Sequence, residues 1–215
     1  MGDIDMKSKQ DIGKMFKEAG ILFAITMIAG LALGYIYELT KDPIAYQEKL
    51  KFDKACKEVF LDAVSFEEMV QDTDAVSKAS IVIETAKENG VKFGDVYRAL
   101  DKDGSLLGYI IEVTTKEGFA GNIEILMGIT IDGTLNGISL LSISETPGLG
   151  MLAGEVLVPQ FAGKTVSAFA YTKTGAMTED QIDAISGATI TTKAITDAVN
   201  TGLSYFEQVL KEGGN

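Results

Sequence analysis

The run Asp183–Thr189, with the sequence DAISGAT, combines residue types that can hold and modify a phosphate. The residues after it place apolar side chains at helical spacing, which predicts a helix reaching to about Leu210. A helix N-terminus offers unpaired backbone N–H groups and the positive end of the helix dipole, and both favour a phosphate. Gly187 and Ala188 let a phosphate approach the backbone closely, and Thr189 brings a hydroxyl to the same place. The apolar positions of this predicted helix are Ile195, Val199, Phe206 and Leu210.

The same residues also fit a purely structural role at the start of a helix. Threonine is a favoured N-cap residue, so Thr191 or Thr192 would satisfy the first turn. Capping alone does not explain why Asp183 lies six residues before Thr189.

The spacing Asp-x-x-Ser-Gly-Ala-Thr resembles the flavinylation signature of the FMN-binding domains in Rnf and Na⁺-pumping NADH:quinone reductase complexes. In that family a Mg²⁺-dependent flavin transferase esterifies the phosphate of FMN onto the last Thr or Ser of the motif. The resemblance implies that the covalent acceptor here is Thr189, which would make the chain a phosphoprotein. The surrounding recognition motif would consist of Asp183, Ser186, Gly187 and Ala188.

A second segment, Glu145–Gly150 with the sequence ETPGLG, resembles an element that packs against the isoalloxazine ring in the same domains. The resemblance extends to the hairpin residues 118–123 and 131–137 and covers roughly residues 95–210. It implies that the ring is reached by Glu145, Thr146, Gly148 and Leu149. Pro147 and Gly148 predict a tight turn, with an ordinary loop as the alternative.

Lys173 matches a position at which the family often has a lysine near the flavin. The resemblance implies that its ammonium group stabilises the anionic reduced ring. A solvated lysine is the alternative interpretation.

Composition excludes several other classes of function. The 215 residues carry a net charge of −12, which argues against nucleic-acid binding because a phosphate backbone needs a basic surface. The absence of histidine excludes a Ser-His-Asp triad, His-ligated zinc and haem attachment through CxxCH. The lone Cys56 cannot hold an iron–sulfur cluster by itself, and its helical context predicts a buried or idle thiol. Redox chemistry would therefore depend on an organic cofactor, and we expect no metal site.

Residues 20–37 contain no charged side chain over 18 positions, enough to nearly span a hydrocarbon core. A cleaved signal peptide is the alternative, but the apolar run is long for one and no convincing cleavage site follows it. We therefore expect a retained membrane anchor. Lysines flank the span in similar number on both sides, so the resemblance, rather than the charge count, implies a cytoplasmic N-terminus and an extracytoplasmic flavin domain.

The pattern of the remaining chain predicts an α+β fold. We expect a cytoplasmic tail over residues 1–18, a transmembrane helix over 19–38, a stalk or helical region over 39–90, and an FMN-binding domain with an antiparallel sheet and helices over 91–215. Asp42-Pro43 predicts a break after the span, and residues 44–70 read as helical. Turn signals at Asp101–Gly104 and Asp132-Gly133 predict two hairpins. The predicted strands are 80–84, 96–100, 106–113, 123–131, 135–143 and 166–171.

The resemblance is greatest to the G subunits of Rnf complexes, which couple electron transfer between ferredoxin and NAD⁺ to ion translocation. It implies a membrane-anchored electron carrier with covalent FMN, working with the other membrane and peripheral subunits of such a complex and matured by a flavin transferase. A single uncharged span offers no ion path, so the partners would move the ion. The alternatives are a subunit resembling the C subunit of the Na⁺-translocating quinone reductase, an extracytoplasmic flavin reductase, and a tethered binding module without a cofactor.

Overall fold

The computed structural model describes residues 3–69 and 73–211, which form an N-terminal helix and an α+β domain. The chain divides into two compact units, residues 1–50 and 51–215. The helices are α1 (Asp3–Val59), α2 (Thr73–Glu88), α3 (Ala153–Val156), α4 (Val158–Phe161) and α5 (Thr189–Tyr205), with a 3₁₀ turn at Gly150–Leu152 and a π-helical turn at Phe206–Leu210. The strands are β1 (Ser65–Glu68), β2 (Val91–Leu100), β3 (Leu106–Thr115), β4 (Ile123–Thr130), β5 (Leu135–Ser142), β6 (Ala170–Thr172) and β7 (Gln181–Asp183).

Helix α1 is the one helix in the described part of the chain that is long and apolar enough to cross a membrane. Its most apolar 18-residue stretch has a mean hydropathy of 2.1, and none of that stretch is buried against the protein. Large apolar side chains such as Phe23 and Leu31 are about two-thirds exposed, as suits a lipid-facing surface. The predicted break at Asp42-Pro43 is wrong, since α1 runs through Pro43. Proline removes one backbone donor, but the helical turns on both sides keep their own hydrogen bonds.

Five antiparallel strands form the main sheet in the order β1-β2-β3-β4-β5. The two predicted hairpins are confirmed, because β2 pairs with β3 and β4 pairs with β5 in antiparallel register. At the first turn the carboxylate of Asp101 accepts bonds from the N–H groups of Asp103 and Ser105, both at 2.8 Å. An aspartate at the start of a turn thus replaces missing backbone partners and fixes the hairpin. The parallel pair β6–β7 is a second, small sheet that the sequence did not predict.

The two faces of the main sheet bury different elements. One face packs against α5 and the π-helical turn after it, and the predicted apolar positions Ile195, Val199, Phe206 and Leu210 are all buried. The other face buries the end of α1, where Cys56 and Val59 lie against Ile110 and Leu126. Gly128 permits this approach, since a Cβ atom there would lie 2.8 Å from the Cβ of Val59. The sheet thereby fixes both the end of α1 and the whole of α5.

Cys56 is fully buried, as its helical context predicted. Burial, assisted by the negative charge of Asp53, raises the pKa of its thiol from 9.0 to about 12. We therefore expect the folded protein to resist a thiol-specific reagent at pH 8, and the unfolded protein to react fully. Because the folded-state pKa is the higher one, the free energy of unfolding should also decrease as the pH rises above about 9. Rapid labelling of Cys56 in native buffer, measured by absorbance, would contradict this placement.

Three other predicted elements are wrong in whole or in part. Residues 80–84 lie inside α2 rather than in a strand, because Val82 and Ala86 are buried at helical spacing. The helix predicted over 44–70 ends at Val59, and residues 65–68 form β1, which pairs with the free edge of β2; Val70 lies outside the described residues. Of the strand predicted over 166–171, only Ala170 and Tyr171 are in β6.

Candidate functional site

The ETPGLG segment forms a tight turn directly after β5, as predicted. The N–H of Leu149 donates to the carbonyl of Thr146 at 3.1 Å, which closes a four-residue turn around Pro147 and Gly148. Gly148 has φ +75°, the value that the third position of a type II turn requires. The chain then enters the 3₁₀ turn at Gly150, so the segment reverses direction within a few residues.

Glu145 connects this turn to the loop between β3 and β4. Its side chain is only 6% exposed, and its Oε1 accepts hydrogen bonds from the N–H groups of Phe119 at 2.7 Å and Ala120 at 3.4 Å. A buried carboxylate needs such donors, and here they belong to the backbone of a loop 25 residues away. Glu145 therefore holds Phe119, whose ring is 66% exposed, in a fixed position beside the turn.

The DAISGAT run forms the connection from β7 to α5. After Asp183 ends β7, the N–H of Ala188 donates to the carbonyl of Ile185 at 3.0 Å, and Gly187 takes φ +78°. Helix α5 begins at Thr189, with Ala188 in the N-cap position and no side chain capping the terminus. The first N–H groups of a helix have no partner within the helix, and no acidic residue lies in this first turn.

The predicted threonine cap is therefore wrong. Thr192 lies inside α5 and is fully buried, where its hydroxyl donates to the carbonyl of Ala188 at 2.9 Å and accepts from the N–H of Ile185 at 3.2 Å. Thr191 is also inside the helix and buried. Since buried hydroxyls must be hydrogen-bonded, Thr192 uses its capacity to fix the turn before the helix, and the N-terminal donors of α5 stay open.

The two motifs meet in space. A Cβ atom on Gly187 would lie 3.0 Å from Cδ2 of Leu149, and one on Gly150 would lie 2.7 Å from the Thr191 Oγ1. Between them is a cavity of about 260 Å³. Its lining residues are Phe119, Glu145, Thr146, Leu149, Gly150, Gly187, Ala188, Thr189, Ile190 and Thr191.

Six of the ten residues predicted for the site line this cavity: Glu145, Thr146, Leu149, Gly187, Ala188 and Thr189. The other four, Asp183, Ser186, Gly148 and Lys173, do not line it. Gly148 shapes the turn, and Ser186 is exposed next to Gly187. Lys173 is exposed in the loop after β6.

Asp183 has a definite structural partner. Its Oδ1 accepts a hydrogen bond from the N–H of Ala176 at 2.7 Å, so the carboxylate fixes the loop that also carries Lys173. Asp183 itself is exposed and lies outside the cavity lining. Asp183 therefore stabilises the surface loop after β6 and does not form part of the cavity wall.

Four lining residues were not predicted: Phe119, Gly150, Ile190 and Thr191. Phe119 lies in the hairpin segment 118–123, which was recognised in the sequence without a role being assigned to it. Phe119, Leu149 and Ile190 are between 38% and 66% exposed, so the lining includes three large apolar side chains that remain partly open to solvent. An exposed apolar group of this kind marks a binding surface rather than a folding requirement.

The site combines an uncapped helix N-terminus with a cavity lined largely by apolar groups. The hydroxyl of Thr189 is half-buried at the wall, next to the open N–H groups of α5. In the described residues no cluster of Cys, Asp or Glu side chains is suited to hold a metal ion. Lys193, on the next turn of α5, is engaged with Asp197 at 2.5 Å, and this hydrogen bond raises the pKa of the lysine.

Comparison with known proteins agrees with this geometry. Residues 118–204 match the family of the FMN-binding domain. The chain is 32% identical over 199 residues to the G subunit of the Na⁺-translocating ferredoxin:NAD⁺ oxidoreductase complex of Acetobacterium woodii, covering 92% of this chain and 94% of that one. It is 31% identical over 191 residues to the G subunit of the proton-translocating ferredoxin:NAD⁺ oxidoreductase complex of Clostridium ljungdahlii, covering 85% and 90% of the two chains.

A solved structure shows the same fold. NqrC of Shewanella oneidensis aligns with a TM-score of 0.50 at 16% identity, over 73% of this chain and 86% of that one.

Proposed function

The chain belongs to the family of G subunits of ion-translocating oxidoreductase complexes, and from this membership we propose that it is a membrane-anchored flavoprotein subunit that relays electrons through FMN bound covalently to Thr189. The observation that carries the proposal is the meeting of two distant segments at one cavity. Thr189, at the uncapped start of α5, and residues of the Glu145–Gly150 turn both line this cavity.

The residues present fit an FMN group. The open N–H groups of α5 and its positive dipole end suit the phosphate, and Gly187 leaves the backbone accessible beside them. Leu149, Phe119 and Ile190 offer apolar surface of the kind that a flat aromatic ring requires. Glu145 keeps the Phe119 loop in place, while Thr146 and Gly150 complete the lining.

The proposed bond joins the Thr189 oxygen to the phosphorus of the FMN phosphate. The hydroxyl loses its proton and the phosphorus loses a leaving group, so the donor must be an activated flavin such as a flavin dinucleotide, which releases a nucleoside monophosphate. A flavin transferase would bring this donor. Asp183, Ser186, Gly187 and Ala188 would form the motif that it recognises.

Bound flavin supplies transfer of one or two electrons, which suits a relay between unlike carriers. The residues of this chain bind it and exclude water from part of it, and the chain itself moves no ion. Lys173 would contribute a positive charge from the loop that Asp183 orders. The other membrane and peripheral subunits of the complex would donate and accept the electrons and translocate the ion.

We further propose that residues 19–38 cross the membrane, with residues 1–18 in the cytoplasm, a stalk or helical region over 39–90 and the FMN-binding domain over 91–215 on the extracytoplasmic side. The apolar stretch of α1 supports the anchor. A covalent bond would keep the cofactor from being lost to the surrounding fluid.

The experiment is to produce the full chain in membranes with and without a flavin transferase and to measure its intact mass. We expect a mass increase of one FMN less one water only when the transferase is present, with a fluorescent flavin band in a denaturing gel. A chain that stays unmodified would favour the tethered binding module. Rapid reduction of a small molecule by the purified flavinylated chain alone would favour the flavin reductase.

A further inference from the structure

Gln160, on the short helix α4, uses its side-chain amide to hold the backbone of Asp183. The amide oxygen of Gln160 accepts from the N–H of Asp183 at 2.6 Å, and its Nε2 donates to the carbonyl of Asp183 at 3.1 Å. The same Nε2 donates to the carbonyl of Val156 at 2.6 Å. Both donors and the acceptor of the amide are engaged, so the side chain pairs with Asp183 as a neighbouring strand would.

Asp183 in turn fixes the loop after β6. With its backbone held on both sides, its carboxylate is directed to the N–H of Ala176, at 2.7 Å. Ala184 adds a bond from its N–H to the carbonyl of Thr172 at 2.8 Å. The orientation of the Asp183 carboxylate therefore depends on a residue 23 positions earlier in the sequence.

Gln160 lies at one end of a continuous segment that touches both ends of the DAISGAT region. At the other end of this segment, residues 145–161, Leu149 contacts Gly187 and Gly150 lies against Thr191. The Glu145–Gly150 turn thus contacts Gly187 and the first turn of α5, while α4 contacts β7, which ends at Asp183. The contact to Asp183 comes from a glutamine, whose hydrogen bonds can be removed without opening the core.

We propose that Gln160 is a positioning residue for the modification of Thr189, acting by holding Asp183 in the orientation that the flavin transferase reads. This inference rests on the proposed function, in which Asp183 belongs to the recognition motif. Gln160 does not line the cavity. Its effect is on loading of the cofactor, before any electron transfer.

The test compares flavin incorporation into the full chain and into Gln160→Ala at limiting transferase, followed by gel fluorescence and intact mass. We expect the rate for Gln160→Ala to be about tenfold lower. The apparent KM for the acceptor chain should rise, while kcat should stay unchanged. Amide hydrogen exchange of the unmodified variant should be faster at Asp183 and Ala176. Gln208→Ala, a change at an exposed glutamine after α5, is the matched control and should match the unchanged chain.

Equal rates for Gln160→Ala and the unchanged chain would overturn this inference and leave the proposed function intact. A lower rate with unchanged exchange at Ala176 would also overturn it, because Gln160 would then not act through Asp183. No incorporation into the unchanged chain would overturn the proposed function and this inference with it. If Gln160→Ala shows no melting transition, Gln160→Glu, which keeps the acceptor for the Asp183 N–H but loses both amide donors, is measured against the same criteria.

Discussion

Replacing Thr189 by alanine is expected to abolish covalent flavin attachment while leaving the domain folded. Thr189 is half-buried at the cavity wall and carries the hydroxyl nearest the open N-terminus of α5 along the chain. Alanine has the highest helix propensity, so the first turn of α5 should tolerate it. The measurement is fluorescence in a denaturing gel and intact mass after co-expression with a flavin transferase. The melting temperature should change by no more than a few degrees.

Two controls identify the acceptor. Thr189→Ser keeps a hydroxyl at the same position and should retain the modification. Ser105→Ala removes an exposed hydroxyl from the turn between β2 and β3, away from the cavity, and should have no effect. Retained fluorescence in Thr189→Ala would show that another hydroxyl, such as that of exposed Ser186, is the acceptor. Loss in both Thr189→Ala and Ser105→Ala would point to a general defect in folding or in access of the transferase.

The sheet could be predicted from the sequence because its hairpins are specified locally. Asp101–Gly104 carries both its turn-forming glycine and the carboxylate that bonds the turn. The failures occurred where distant partners decide the structure. Residues 80–84 have strand-like side chains, but Val82 and Ala86 are buried among the domain core as one face of α2. Residues 65–68 form a strand because the edge of β2 is available to pair with them, which no local pattern reveals.

The resemblance assigned both motifs to one flavin, and the structure places residues of both in the lining of one cavity, but the direct contact between them was not predicted. Each motif is local, but Leu149 and Gly187 are far apart in sequence, and no spacing rule indicates that they touch. For the same reason Phe119 and Gln160 had no assigned role before the structure placed them. The prediction of a threonine cap was wrong because the side chains of Thr191 and Thr192 are buried in the core. There they cannot accept hydrogen bonds from the first N–H groups of α5. Tertiary packing thus left the N-terminus of α5 without the side-chain cap that the sequence predicted.

Replacing Gly150 by alanine is expected to disrupt the junction of the two motifs and to weaken both the fold and flavin loading. The added Cβ would lie 2.7 Å from the Cβ of Glu145 and 2.7 Å from the Thr191 Oγ1, both of which are held in buried surroundings. Overpacking of this kind costs about 2 kcal/mol, which lowers the melting temperature by roughly 4–8 °C in a domain of this size. Gly154→Ala is the matched control, because a Cβ there meets nothing within 4 Å. Gly154 is exposed in a helix, so the melting temperature of this variant should be unchanged or slightly higher. Gly150→Ala should have a lower melting temperature and a lower initial rate of flavin incorporation than Gly154→Ala. Equal values for the two variants would mean that the Glu145–Gly150 turn and the start of α5 do not pack as closely as their contacts imply.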